Sequence, residues 1–267
     1  MTNPPDLVVF SDLDGTLLDH ETYDWSPAKP ALHRLAQIGC PVVLTSSKTA
    51  AEIVVLQQAM GLSDYPAIVE NGAGVIGLPG QDDIAEDYEK VRQMLDAIPP
   101  SLRKHFTGFG DMSADEIATL TGLSPDAARL AMKRDFSEPG LWTGHDAAKD
   151  AFLAAIQEQG LTATQGGRFL TLSFGATKAD GMARVLARYK PKHSIALGDA
   201  PNDIAMLEAA EFGVIVANPH RDPLPHLKGE AEGRISRTRD AGPHGWNTAV
   251  CALLYQLGLT TGTHANG

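Results

Sequence analysis

Apolar positions along this chain fall into two alternating patterns. Leu7 to Phe10, Pro41 to Leu44 and Ala67 to Val69 are short, unbroken apolar runs. Runs of this length, bounded by turn residues, read as strands buried on both faces. The stretches between them have helical spacing. Ser26-Pro27 predicts a helix to about Ile38, with serine as N-cap and proline at the first helical position. Gly39 closes it. Thr49-Ala50-Ala51-Glu52 forms a capping box that opens a helix stopping at Gly61. Strand, helix, strand, helix, strand in this order predicts a parallel, doubly wound sheet.

Near Pro79-Gly80 the pattern changes. Residues from about 82 to 165 are helix-rich, with helix starts at Ser113 and at Ser124-Pro125 and an amphipathic helix from about Asp146 to Gln159. Short strands are expected at Phe106 to Phe109 and Leu161 to Thr164, and a firmer one at Phe169 to Phe174. This insert reads as an α+β domain with helices covering one sheet face. After Gly175 the first pattern returns: helix from Lys178 to Tyr189, strand from Ser194 to Leu197, helix from Asp203 to Ala210, strand from Val214 to Ala217. The expected architecture is α/β, a Rossmann-like core (1–81 and 171–267) interrupted by an inserted α+β cap (82–170). No internal repeat is visible, and the tail after His264 is expected to fray.

The chain's 267 residues and ordinary composition, 43% hydrophobic and 21% charged, allow a substantial buried core. A formal net charge of -11 argues against a nucleic-acid partner, which would need a basic stripe. It leaves an anionic substrate open, since a bound cation and one or two lysines can invert the local field. Cys40 and Cys251 are the only cysteines and have no metal-ligand spacing, which suits a reducing compartment. No secretory start and no apolar run of membrane-spanning length is seen, so a cytoplasmic protein with no membrane partner is expected. Oligomeric state is not readable.

Candidate chemistry sits where apolar runs end. The first run stops in Ser11-Asp12-Leu13-Asp14-Gly15-Thr16. Asp12 and Asp14, two apart, share a face at a strand's carboxyl end, where open α/β sheets bind ligands. Two adjacent carboxylates repel, and a hard divalent cation removes the conflict. An Asp-rich turn with Gly15 supplying the reversal is the other reading. A second strand ends in Gly198-Asp199-Ala200-Pro201-Asn202-Asp203, which would bring Asp199 to the same sheet edge and complete an oxygen-lined site suited to Mg²⁺. Asn202 and Asp203 also fit a helix N-cap. Ser46 follows a strand just before a capped helix, where it could face a phosphate oxygen or simply form a turn. Lys178 heads a helix, an unfavourable place for a cation unless an anion is near.

Together these pieces resemble the haloacid dehalogenase superfamily of phosphohydrolases. Asp12-Leu13-Asp14-Gly15-Thr16 resembles its first motif, Ser46 its second, Lys178 its third and Gly198 to Asp203 its fourth. The insert between the second and third is similar to the α/β cap of the sugar-phosphatase subgroup. The resemblance implies Asp12 as nucleophile and Asp14 as acid and base. Mg²⁺ would be held by Asp12, the backbone carbonyl of Asp14, and Asp199. Ser46 and Lys178 would hold phosphate, with Asn202 and Asp203 orienting the Lys178 ammonium or the metal's water.

A narrower resemblance is to mannosyl-3-phosphoglycerate phosphatases. It rests on Ser46-Ser47-Lys48-Thr49, Glu70-Asn71-Gly72-Ala73 and Gly166-Gly167-Arg168-Phe169. Leu120 to Leu123, Phe136 to Pro139 and Gly242 to Trp246 add to it. Many sugar phosphatases of the subgroup carry Thr-Gly-Arg where this chain has Ser46-Ser47-Lys48. The implied substrate is a phosphorylated glycoside. Lys48, Arg134 and Arg168 are candidate partners for its carboxylate or phosphate, and Glu70, Asn71 and Glu138 for its sugar hydroxyls. Arg134 also reads as a solvated helix residue, Glu138-Pro139 as the end of a helix, and Trp25 and Trp246 as packing residues.

Overall fold

The computed structural model describes residues 4–79 and 87–259. Among these are eleven strands: β1 (Leu7–Ser11), β2 (Val42–Thr45), β3 (Ala67–Val69), β4 (Gly74–Ile76), β5 (Phe106–Gly108), β6 (Glu138–Trp142), β7 (Thr162–Gly166), β8 (Phe169–Ser173), β9 (His193–Gly198), β10 (Phe212–Ala217) and β11 (Ile235–Ala241). The chain divides into two compact units. The first comprises 1–46, 64–66 and 182–267, the second 47–63 and 67–181. The expected tail beyond His264 and the boundary at 81/82 lie outside the described residues.

In the first unit the strands run β11-β10-β9-β1-β2, and each pairing is parallel. The apolar run of β1 is buried throughout, as a central parallel strand requires. Its register sets Ser11 level with Leu44 of β2 and Leu197 of β9. The residues following β1, β2, β9 and β10 therefore emerge at one edge of the sheet. The Asp12 N–H extends this ladder, donating to the Leu197 carbonyl at 2.9 Å.

The first helix starts later than Ser26-Pro27 predicts. Ser26–Ala28 is a 3₁₀ turn, and the α-helix spans Lys29–Gln37. The Ser26 hydroxyl is spent on Asp24, to whose Oδ2 it donates at 2.6 Å, so it does not cap. Gly39, with φ +64°, ends the segment as expected. Strand β11 and the helix Gly242–Gln256 close this unit, and the sequence pattern does not announce either. The polar face of β11 hides its strand period, and Gly-Pro at the helix start looks like a turn. Trp246 on that helix is fully buried and its Nε1 donates to Ser11 Oγ at 2.9 Å. Trp25 is half-buried under Lys29.

The second unit contains the helix Ala50–Met60, which starts on the expected reciprocal cap. Glu52 N–H donates to Thr49 Oγ1, and Thr49 N–H donates to Glu52 Oε2. Strands β3 and β4 form an antiparallel pair around Glu70-Asn71-Gly72. A four-stranded sheet, β5-β6-β8-β7, is antiparallel throughout. Strand β6 corrects the reading of Glu138-Pro139 as a helix end. Its sequence, Glu-Pro-Gly-Leu-Trp, is poor in strand formers, yet it pairs on both sides. Leu170 and Leu172 of β8 pack with Val91, Leu95, Phe152 and Ile156 from the helices Asp87–Asp96 and Asp146–Glu158. Phe169, pointing to the other face, packs with Phe109, Ile117 and Ala131. Apolar packing thus reaches both sheet faces rather than the single one expected.

Candidate active site

Three carboxylates converge at the carboxyl edge of the first unit's sheet. Asp12, Asp199 and Asp203 each place an oxygen within 4.8 Å of the others, and all three are buried. The sequence reading put Asp203 in a supporting position, and here its side chain ties down the loop that carries Asp199. Its Oδ2 accepts from the N–H groups of Asp199 and Ala200, at 3.0 and 2.9 Å. It makes no side-chain cap of the helix Ile204–Ala209 that it precedes. Gly198 lets this loop close, because a Cβ there would lie 2.5 Å from the Asp203 side chain. Asn202 is exposed on the turn Pro201–Asp203.

Asp199 is fixed from both sides. Thr16 Oγ1 donates to its Oδ1 at 2.9 Å, and Asn218 Nδ2 donates to its Oδ2 at 2.8 Å. The Arg221 Nε lies 3.5 Å from the same Oδ2. Sequence reading assigned no role to Thr16, Asn218 or Arg221. The available signal was that Asn218 immediately follows β10, whose carboxyl end shares the edge of Asp12 and Asp199. Gly15 has φ +84°, and a Cβ there would sit 2.3 Å from Asn218 Nδ2. The turn thus needs glycine both for its left-handed backbone and for the close approach. Asp14, just before this glycine, is half-buried and forms an isolated bridge with Leu18. The carboxylate trio does not include the Asp14 side chain. Ser46, one residue past β2, is buried at the same edge.

The donor set suits a hard divalent cation. Three buried carboxylates repel one another strongly in a low-dielectric setting, and oxygen-only ligands match Mg²⁺ better than a softer metal.

The remaining expected residues belong to the second unit. Lys178 is 1% exposed and heads the helix Lys178–Tyr189. That helix start is capped by Thr177 and Asp180, whose carboxylate accepts from the Thr177 N–H and hydroxyl, holding its pKa below the ordinary range. The Glu70-Asn71-Gly72 turn packs directly against this point. A Cβ on Gly72 would lie 1.9 Å from the Thr177 carbonyl oxygen, and Glu70 and Asn71 both have positive φ. Asn71 tolerates that conformation well, and for Glu70 it is an uncommon one.

Glu70 does not offer a free acceptor to a sugar, whereas one Glu138 carboxylate oxygen, Oε2, is buried without a hydrogen-bond partner among the described residues. Glu70 accepts from the N–H groups of Asp135 and Phe136 and from the Ser137 hydroxyl, with Arg134 3.7 Å away. Glu138 Oε1 accepts from Arg92 Nη1 and the Gly110 N–H, at 2.8 and 2.9 Å. Burial still pushes the Glu138 carboxyl above its usual range. Both side chains are buried. Arg134 is outside any helix, donates to the Ser47 carbonyl and lies over the Phe109 ring. Lys48 is half-buried, its carbonyl accepting from the Glu70 N–H. Arg168 is exposed on the β7–β8 turn and donates to the Leu120 carbonyl.

A sequence model of the haloacid dehalogenase-like hydrolases matches residues 9–106 and 145–228. The chain belongs to that hydrolase family. Its fold is similar to that of a Thermoplasma acidophilum protein, at 16% identity and TM-score 0.66, over 95% of this chain and 98% of the other. A sucrose-phosphatase from Synechocystis, bound to sucrose and phosphate, is similar at 15% identity and TM-score 0.61, over 92% and 97%. A subclass IIB sugar phosphatase matches at 18% identity and TM-score 0.60, over 94% and 99%. These likenesses establish an α/β fold with a mostly parallel central sheet. Among the described residues no helix is long and apolar enough to cross a membrane.

Proposed function

We propose that this hydrolase is a Mg²⁺-dependent phosphomonoesterase that converts mannosyl-3-phosphoglycerate to mannosylglycerate, a compatible solute, in the cytoplasm. The observation that carries the phosphatase reading is the buried trio of Asp12, Asp199 and Asp203 at the carboxyl edge of a parallel sheet, in a chain of this family. The substrate rests on the Ser46-Ser47-Lys48-Thr49, Glu70-Asn71-Gly72-Ala73 and Gly166 to Phe169 segments.

In this reading a carboxylate oxygen of Asp12 attacks phosphorus in line. The bond from phosphorus to the glycerate oxygen breaks, and Asp12 carries an aspartyl-phosphate. Asp14 gives its proton to the departing alkoxide, then takes one from the water that cleaves the aspartyl-phosphate and releases phosphate. Mg²⁺, held by Asp12, the Asp14 carbonyl and Asp199, would neutralise phosphoryl charge. Ser46 and Lys178 hold the remaining phosphoryl oxygens, and Asn202 and Asp203 keep the acidic loop in place. Residues 82–170 act as the cap that selects substrate on a core of 1–81 and 171–267. Arg168, Arg134, Lys48 and Asn71 are the proposed contacts to the glycerate and the hexose. Glu70 and Glu138 act there indirectly, by fixing the 134–138 segment and the Arg92 network.

The second reading is a phosphatase for glucosyl-3-phosphoglycerate, or for sucrose or trehalose phosphate, favoured by the fold shared with a sucrose-phosphatase. Phosphate release with Mg²⁺ from these four compounds separates the two. The expected result is the highest kcat/KM with the mannosyl compound. Preference for a sugar phosphate lacking glycerate would overturn the first reading. Phosphate moved between positions without net release would instead mark a phosphomutase.

A further inference from the structure

Arg221 is the one part of the Asp199 environment that a metal-binding role does not explain. Thr16 and Asn218 are neutral donors, and each takes one lone pair of the carboxylate while leaving others for a cation. Arg221 is different in kind. It brings a permanent positive charge to 3.5 Å from Asp199 Oδ2, beyond a good hydrogen bond but within an ion pair. The Asp199 side chain is 0% exposed, whereas that of Arg221 is 42% exposed. Only one partner therefore has solvent to move into. The loop beneath it is tied down separately: the Asn218 Oδ1 accepts from the His220 N–H, and the His220 ring stacks on His20 at 4.6 Å. Release of the guanidinium therefore does not require the loop to move.

The electrostatic need for such a charge is also present. Asp12, Asp199 and Asp203 are acids brought within 4.8 Å of one another. With no divalent ion among them, a nearby guanidinium offsets part of their repulsion. With a divalent ion present, the same guanidinium repels it.

We propose that Arg221 is a built-in counter-cation of the acidic site. It neutralises Asp199 in the metal-free protein, and a divalent cation must displace it towards solvent. Arg221 thereby raises the Mg²⁺ concentration at which the site fills. This inference rests on the metal-dependent reading above and adds a residue that sets its affinity.

The test is calorimetric titration of the full-length protein with Mg²⁺ alone, at low ionic strength and without substrate, in wild type, Arg221→Gln and Arg221→Lys. Removing a unit charge this close to the ion should tighten binding about three- to tenfold in Arg221→Gln, with the gain shrinking as salt is added. Arg221→Lys should stay near wild type. The metal-free Arg221→Gln protein should also melt at a lower temperature than wild type, and Mg²⁺ should restore it by a larger shift. Equal or weaker Mg²⁺ affinity in Arg221→Gln overturns the proposal while leaving the phosphatase reading standing. Absence of Mg²⁺ binding in wild type overturns both.

Discussion

Buried acids occur in both units of this protein, dispersed in one and grouped in the other. In the second unit acid meets donor and arginine. Glu70 receives two backbone N–H groups, a hydroxyl and the nearby Arg134, while Glu138 receives Arg92 and a backbone N–H. In the first unit the acids are drawn together, Asp12, Asp199 and Asp203 at the sheet edge, while Asp199 also receives Thr16, Asn218 and Arg221 and Asp203 two backbone N–H groups. The contrast teaches that burial alone does not mark a reactive carboxylate. A buried acid such as Glu70, held by several donors, organises the chain around it. Acids drawn to one point offer several carboxylate oxygens to one shared cation.

The largest effect that would test this contrast is chemical. Asp12→Asn should reduce phosphate release at least about a thousandfold. Its thermal midpoint should be unchanged or higher, because one of three mutually repelling charges is removed. A clear loss of stability would mean that Asp12 is a structural acid like Glu70, and the contrast would fail.

Glu70→Ala should do the reverse. Removing the acceptor leaves the Asp135 and Phe136 N–H groups and Arg134 without it in a buried setting, at a cost of about 3 kcal/mol in denaturant unfolding. A cost below about 1 kcal/mol would show that this acid is not what holds the 134–137 segment.

The smallest effect concerns pH. Burial outweighs the hydrogen bonds to Glu138, so its carboxyl titrates above the ordinary value of 4.5. The folded chain then holds this proton more tightly than the unfolded chain. Stability contributed by the protonated form is full below that ordinary value and is lost as pH rises through the folded one. Wild type should therefore lose stability relative to Glu138→Gln as pH is raised upward from about 4.5. A gap that widens in favour of wild type over this range would show that the Arg92 pair dominates instead.

The placement of strand-end acids was open to sequence reading because it depends on local order. An apolar run ending in Asp-Leu-Asp-Gly, and another ending in Gly-Asp, declare both the strand and its exit. The Thr49–Glu52 cap and Gly39 and Gly61 stops are local for the same reason. Strand β6 was hidden because Pro139 and Gly140 oppose strand formation, and only its neighbours β5 and β8 impose it. Asn218 and Arg221 were hidden because Asn-Pro after a strand reads as an ordinary turn. Their meeting with Asp199, 19 and 22 positions earlier, is set by the register of β10 on β9.

Residue order by itself determined that two runs end in carboxylates, that the sheet is parallel and doubly wound, and that a different kind of segment interrupts it. Backbone sterics, capping and side-chain period act over a few residues, so the linear chain carries them. Tertiary structure alone decided which acids are matched and which are crowded. The charge balance around Asp199 and around Glu70 is made by residues distant in the chain, and in a low-dielectric interior those few ångströms decide what each carboxylate can do.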